Sequence, residues 1–283
     1  MNDVVHPAVR GSNTRWLQPA VAIVLAVVVI GIPLWLVFVT SAKSQGEANL
    51  PDLSLPSSWH LVDNYREAFT QGRVPFALLG SLLVMVPSVV GVLVFGSLAS
   101  WVLARRAGRL VSVLYSAAIS GIVLPPAVVT IVLLLRQLGL ASTPVGMVFV
   151  YMGMYMSVVV FFITGFVRTI PLELEEAARI DGARPLRIFV TIILPLLRPV
   201  IATATILVCL YVWNDVFYSF FVLGGGTLTT LPLNLFSVAS SNLYQNNWNL
   251  IFAYVVMMSL PLLVVFILAQ RRVISGITGG AVK

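Results

Sequence analysis

The chain has 283 residues, of which 59% are hydrophobic and 10% charged, against roughly 25% charged in an ordinary soluble domain. So few charges cannot cover a soluble globule, and lipid must be the main solvent. The net charge of +7 does not point to nucleic acid, because the basic residues lie in short connectors between apolar runs rather than on one accessible face.

A membrane helix needs about 20 mostly apolar residues. Read in chain order, the sequence predicts an all-α, polytopic membrane protein with six spans, at about 17–40, 76–104, 111–135, 145–167, 200–223 and 250–269. Residues 1–16 form a tail before the first span and 270–283 a tail after the last, so 17–269 make the membrane domain. The first span has an apolar core longer than the about 7–15 residues of a signal peptide, and is read as retained. With the N-terminus inside, the inner segments hold Arg10, Arg15, Arg105, Arg106, Arg109, Arg168, Arg179, Arg184, Arg187, Arg198, Arg271, Arg272 and Lys283, which is 13 of the 17 basic residues. Only Lys43, Arg66, Arg73 and Arg136 lie outside. The positive-inside rule therefore predicts a multi-pass protein of the cell membrane with both termini in the cytoplasm. The outer connectors 41–75 and 224–249 are long, and their Trp59, Tyr65, Tyr244 and Trp248 suit either an external contact or the interfacial aromatic belt.

Between spans four and five the inner connector 168–199 holds the densest charge cluster in the chain. Glu173, Glu175, Glu176 and Asp181 stand among Arg179, Arg184 and Arg187. Residues 169–181 read as a short helix with Pro171 in its first turn, early carboxylates that suit the helix dipole, and Gly182 as its stop. Glu175 and Arg179 form an i,i+4 pair in the favourable order. Leu174, Ala177, Ala178 and Asp181 fall on one face, where two alanines permit close approach of another surface. A new helix is expected after Arg184-Pro185. An amphipathic element lying on lipid would show a basic face, whereas this one is acidic, so a protein partner is the better expectation.

Glu176-Ala177-Ala178, three residues, Gly182, nine residues, then Ile192-Ile193-Leu194-Pro195 resembles the cytoplasmic loop signature of ABC importer permeases. The DGA variant of the loop, the ending QRRVISGITGGAVK and Trp213-Asn214-Asp215 look like its carbohydrate-uptake branch, and within it the smaller permease subunits of maltose-type transporters. The resemblance runs from span two to the C-terminus and is weakest over residues 1–60. It implies that Glu173, Glu175, Glu176, Ala177, Ala178, Asp181 and Gly182 form a coupling element that docks in a separate nucleotide-binding subunit, with Ile192, Leu194 and Pro195 anchoring the helix that follows. It also implies a second permease, two nucleotide-binding subunits carrying ATP and magnesium, an extracellular or periplasmic solute-binding protein, and an outer loop around 224–234 that reaches toward it. No cofactor is expected in this chain, and it is expected to be non-catalytic.

Asp215 is the only acidic residue within a predicted span. A charge there must face the bundle interior or a wet cavity. With Tyr211, Trp213 and Asn214 it could meet a sugar, or it could be an interhelical polar clasp; Tyr155, beside Tyr151 on span four, is a further pathway candidate. His6 and His60 have no partner at metal-ligand spacing. Cys209 lies alone in an apolar run and reads as a small hydrophobe. Lys43 precedes Ser44 without the glycines of a P-loop. An ion-coupled transporter would need more intramembrane ionisable groups. Other polar cargoes, such as an osmolyte, a peptide or a phosphonate, stay open alongside sugar.

Overall fold

The computed structural model describes residues 14–242 and 247–281, and every regular element among them is helical. Parts of the predicted tails and of the outer connector, including Tyr244, lie outside the described residues. The chain divides into two compact units, Met1–Ala68 with Asn242–Val256, and Phe69–Ser241 with Met257–Lys283.

The first unit opens with α1 (Thr14–Ala26), a π-helical turn (Val27–Gly31) and α2 (Ile32–Ala42). Pro33 cannot donate to the Val29 carbonyl, and the Ile32 N–H bonds instead to the Val27 carbonyl, which widens the register by one residue. Gln18–Ala42 is a 25-residue apolar stretch containing an 18-residue window of mean hydropathy 3.0. Its side chains from Gln18 to Trp35 are exposed within this chain, and only Val39–Lys43 are buried. There the end of α2 is closed by its own unit. Asn64, on α4 (Leu61–Gln71), donates to the carbonyls of Ser41 at 2.9 Å and Lys43 at 2.8 Å, satisfying acceptors that a helix terminus leaves open. Asn249, at the start of α15 (Trp248–Ala281), donates to Asn64 Oδ1 at 2.9 Å. Lys43, buried just before α3 (Gln45–Ala48), pairs with Asp52 and donates to Ser54 Oγ at 3.1 Å.

In the second unit α5 (Val74–Arg105) and α8 (Pro144–Val167) pair along their length. Ser81, Ser88, Gly96 and Ser100 recur on one buried stripe of α5, and small residues there let backbones approach. A Cβ at Gly96 would lie 2.7 Å from Val159 Cγ1. α12 (Arg198–Asn214) packs against both, burying Ala204 and Val208 with Val92, Val159 and Ile163.

Two predicted spans are interrupted. The expected helix 111–135 is α6 (Arg109–Ser120) and α7 (Val128–Gln137), because Pro125-Pro126 removes two donors and pushes the preceding residue out of helical geometry. The expected helix 200–223 is α12 and α13 (Phe217–Leu223), broken where Asp215 turns extended, at ψ 123°. Among the described residues four helices are long and apolar enough to cross a membrane, at Gln18–Ala42, Val74–Arg105, Pro144–Val167 and Trp248–Ile267. The last helix also continues to Ala281, through what the sequence marks as a tail.

Before α12 the chain forms α9 (Glu173–Ile180), α10 (Pro185–Ile188), a π-helical turn (Phe189–Ile193) and α11 (Leu194–Leu196), and Pro185–Leu196 meets α12 at 76°. The loop helix starts later than 169: Pro171 lies outside it and Leu172 is its N-cap. The outer connector holds α14 (Leu231–Asn242).

Candidate functional site

α9 ends where the sequence predicts and by the predicted means. Gly182 has φ +78°, the left-handed region that only glycine enters cheaply. Its N–H bonds to the Arg179 carbonyl at 3.0 Å, and that of Ala183 reaches back to Ala178 at 2.9 Å. These two bonds make a Schellman stop, with Ala178 and Ala183 packed together against the core.

The carboxylates of α9 then divide. Glu173, Glu176 and Asp181 are exposed, as are Leu174, Ala177 and Gly182. Glu175 is 0% exposed. Its Oε1 meets Arg105 Nε at 2.6 Å, and its Oε2 accepts from Trp101 Nε1 at 3.1 Å. The Arg179 partner expected from sequence is more distant, at 3.7 Å. Arg105 also donates to the Ile170 carbonyl at 2.9 Å. This corrects the sequence expectation for Glu175: it holds α9 onto the end of α5 and presents nothing outward. Ala178 is likewise half-buried. The outward face instead gains Ile180, which is 86% exposed.

From sequence Arg105 counts only as an inner basic residue and Trp101 has no part, although their i,i+4 spacing at the end of a predicted span places them on one face. The anchors of the following segment shift too. Ile192, Leu194 and Pro195 are only half-buried, while Ile188, Ile193 and Leu197 are 0% exposed. Phe189 packs on the Trp101 ring at 5.4 Å between centroids.

The second cluster sits in the break between α12 and α13. Asp215 Oδ1 accepts from the Tyr218 N–H at 3.2 Å. Its Oδ2 accepts from the Ser219 N–H at 2.9 Å, the Ser219 hydroxyl at 3.1 Å and the Tyr151 hydroxyl at 2.8 Å. Both oxygens are thus engaged by α13 and α8, the geometry of a cap and a clasp together. Trp213 is buried and donates to the Met258 carbonyl at 3.2 Å. Three tyrosines stack beside this clasp. Tyr151 and Tyr155 lie 5.8 Å apart at 27°, and Tyr155 and Tyr211 lie 5.5 Å apart at 17°. Tyr211 is 48% exposed, and Asn214 is exposed next to it. Of the pathway candidates, Tyr155, Tyr211 and Asn214 offer accessible surface, whereas Trp213 and Asp215 are committed to the fold.

A family profile described as the binding-protein-dependent transport system inner membrane component matches residues 92–278. The chain belongs to that family. Among similar proteins, the melibiose/raffinose/stachyose import permease protein MelC of Bacillus subtilis is 34% identical, over 89% of this chain and 91% of its own. The probable starch degradation products transport system permease protein AmyC of Thermoanaerobacterium thermosulfurigenes is 33% identical over 95% and 97%. The diacetylchitobiose uptake system permease protein NgcG of Streptomyces coelicolor is 30% identical over 98% and 92%. A chain of a bacterial ABC transporter involved in the import of the acidic polysaccharide alginate shares the fold, with TM-score 0.75 at 19% identity over 95% of this chain and 99% of that one. The chain is therefore a multi-pass membrane permease, a transport subunit of a larger complex.

In this permease the outer connector departs from the expected reaching loop. Thr230, Leu231 and Leu233 are buried, the Leu231 N–H donates to Ser81 Oγ at 2.8 Å, and Asn234 donates to the Gly72 carbonyl. A Cβ at Gly80 would fall 2.0 Å from the Thr229 carbonyl oxygen, so only glycine admits this return of the chain onto α5. Within 224–234 the exposed part is the shorter stretch Gly224–Thr227.

Proposed function

We propose that this permease forms half of the pathway of an ATP-driven importer for a sugar or oligosaccharide, and that α9 couples it to a separate nucleotide-binding subunit. The observation that carries this reading is the division of α9. Its exposed face of Glu173, Glu176, Ala177, Ile180 and Asp181 is stopped by Gly182, while Glu175 fixes the opposite face to α5. An outward acidic and apolar face on a rigidly held helix suits a protein cleft better than a lipid surface. A carbohydrate cargo is supported by the names of the three similar permeases. The partners are a second permease, a solute-binding protein outside, and two nucleotide-binding subunits that bind ATP and magnesium. Both termini and α9 lie on the cytoplasmic side, on the distribution of Lys and Arg.

On the pathway, Tyr211 presents an aromatic face to a sugar and Asn214 an amide, Tyr155 backs the Tyr211 ring, and Asp215 and Trp213 hold the helix break behind them. Purification of the tagged chain from its native membrane in mild detergent, with identification of the co-purifying chains, tests the reading. An ATPase subunit and a second permease are expected, and both Glu176→Ala and Gly182→Val reduce ATPase recovery. Proteoliposomes of that complex then import labelled oligosaccharide only with ATP and the binding protein. Recovery of the chain alone, moving solute down an ion gradient, would sink the proposal.

A further inference from the structure

The end of α5 and the start of α6 line two adjoining surface pockets, the larger a shallow open groove, that the transport reading does not use. One, of about 160 Å³, is lined by Leu103, Arg106, Val111, Ser112, Tyr115 and Arg168. The Arg168 guanidinium stands 4.9 Å from the centre of the Tyr115 ring, a cation–π contact that holds it in place. Neither Arg106 nor Arg168 is ion-paired with a described carboxylate. The buried carboxylate of this region, Glu175, is already taken by Arg105. The second cavity, of about 450 Å³, is lined by Leu98, Ala99, Trp101, Val102, Leu103 and Leu114.

Leu103 belongs to both cavities, so they meet. Along α5, Leu98 and Ala99, then Val102 and Leu103, then Arg106 follow one another at three- and four-residue steps, which keeps them on one face. From Leu98 to Arg106 that face runs about 12 Å. It passes from wholly apolar to cationic at Arg106, with Arg168, at the end of α8, lining the same smaller pocket. The cationic end lies at the terminus of a 32-residue apolar helix, where a bilayer changes from hydrocarbon to headgroup.

We propose that the two cavities together bind one anionic phospholipid. Its phosphate sits between Arg106 and Arg168 and accepts from the Ser112 hydroxyl, and an acyl chain lies in the trench from Leu103 to Leu98. Any phosphate ester shares the headgroup chemistry, but only a lipid also fills the trench. Two unpaired guanidiniums select an anionic headgroup over a zwitterionic one, since each basic residue near a membrane surface adds to the attraction for anionic lipid. Trp101, which lines the trench, also donates to Glu175 of α9, so the bound chain abuts the anchor of the loop helix.

The test is native mass spectrometry of the purified complex with phosphatidylglycerol or phosphatidylcholine of matched chain length, and it reads binding independently of transport or ATPase coupling. The phosphatidylglycerol adduct is expected to dominate. Arg106→Gln with Arg168→Gln weakens it roughly thirty-fold, while Arg106→Lys with Arg168→Lys retains most of it. Leu103→Trp, which fills the trench and leaves the charges, lowers binding of both lipids. Size exclusion and circular dichroism verify that the glutamine pair is folded, and the lysine pair and Leu103→Trp decide the matter if it is not. Phosphatidylglycerol binding unaltered by the glutamine pair, or displaced by equal concentrations of inorganic phosphate or glycerophosphoglycerol, would overturn the proposal.

Discussion

The permease engages two carboxylates in its fold, Glu175 buried and Asp215 half-buried, and it uses them in opposite ways. In α9 one of three acids, Glu175, is turned inward onto Arg105 and Trp101, and the other two stay outside, as does Asp181 at its C-cap. In the helix break Asp215 accepts four hydrogen bonds from Tyr151, Tyr218 and Ser219. Glu175 joins a surface helix to the core through a charge pair and leaves that helix free to meet something else. Asp215 joins two interior helices through neutral donors and keeps nothing over. A hydrogen-bonded carboxylate thus marks a mechanical joint in both places, buried at Glu175 and half-buried at Asp215.

The contrast should be broken most severely at Glu175. Glu175→Ala leaves Arg105 half-buried without its partner and is expected to destabilise by about 3–5 kcal/mol, read as a lower midpoint of thermal unfolding in detergent. Glu175→Ala with Arg105→Met should recover much of that loss, and no recovery would mean that Trp101 is the main tether. Asp215→Ala removes a cap and leaves the Tyr151 hydroxyl with one partner fewer, an expected cost of about 1–3 kcal/mol. Asp215→Asn, which keeps acceptor geometry at one oxygen, should cost less; equal losses would show that the charge itself holds the break. Gly182→Val forces a branched residue into the left-handed region and is expected to cost about 1–2 kcal/mol. Because the space around Gly182 is open, Gly182→Asn should be milder in the same assay.

At Glu176 the stability change should stay within about 0.5 kcal/mol, as for an ordinary surface site, while ATPase stimulation by the loaded binding protein falls. Unchanged stimulation would remove Glu176 from the coupling face. The smallest effect belongs to a third acid, wholly outside the membrane. The Lys43 ammonium beside Asp52, helped by Ser54, holds its carboxyl down to about 2, below the ordinary value of about 3.9. A depressed carboxyl stabilises above its unfolded value, so the contribution is complete at neutral pH and lost as pH falls from about 4 through about 2. Asp52→Asn should flatten the acid limb of a stability profile over that window, by lowering stability slightly at neutral pH and leaving it unaltered near about pH 2.

The helical class and the stop at Gly182 were legible because both depend on local chemistry: apolar run length, and a backbone angle that one residue type tolerates. Pro125-Pro126 was equally visible, but a run of apolar residues on either side outweighed it in a reading by hydropathy. Glu175 could not be separated from Glu173 and Glu176 by sequence. All three suit the first turns of a helix, and what singles out Glu175 is Arg105, 70 residues earlier. The burial of Leu231 and Leu233 against α5 was hidden in the same way, since the space for it is made at Gly80, 149 positions before Thr229. The Asp215 clasp and the sugar reading remained open in sequence for want of one fact: where the Tyr151 hydroxyl points.

The amide of Asn249 reaches Asn64 across 185 positions. At a synthesis rate of about 5–20 residues per second, the ribosome needs roughly 10–40 s to make the second partner after the first. For that interval the nascent first unit has its helix end capped by Asn64 but no donor on the Asn64 side-chain oxygen. A chain truncated before residue 249 never acquires that donor, so completion of the unit waits on synthesis of the start of α15.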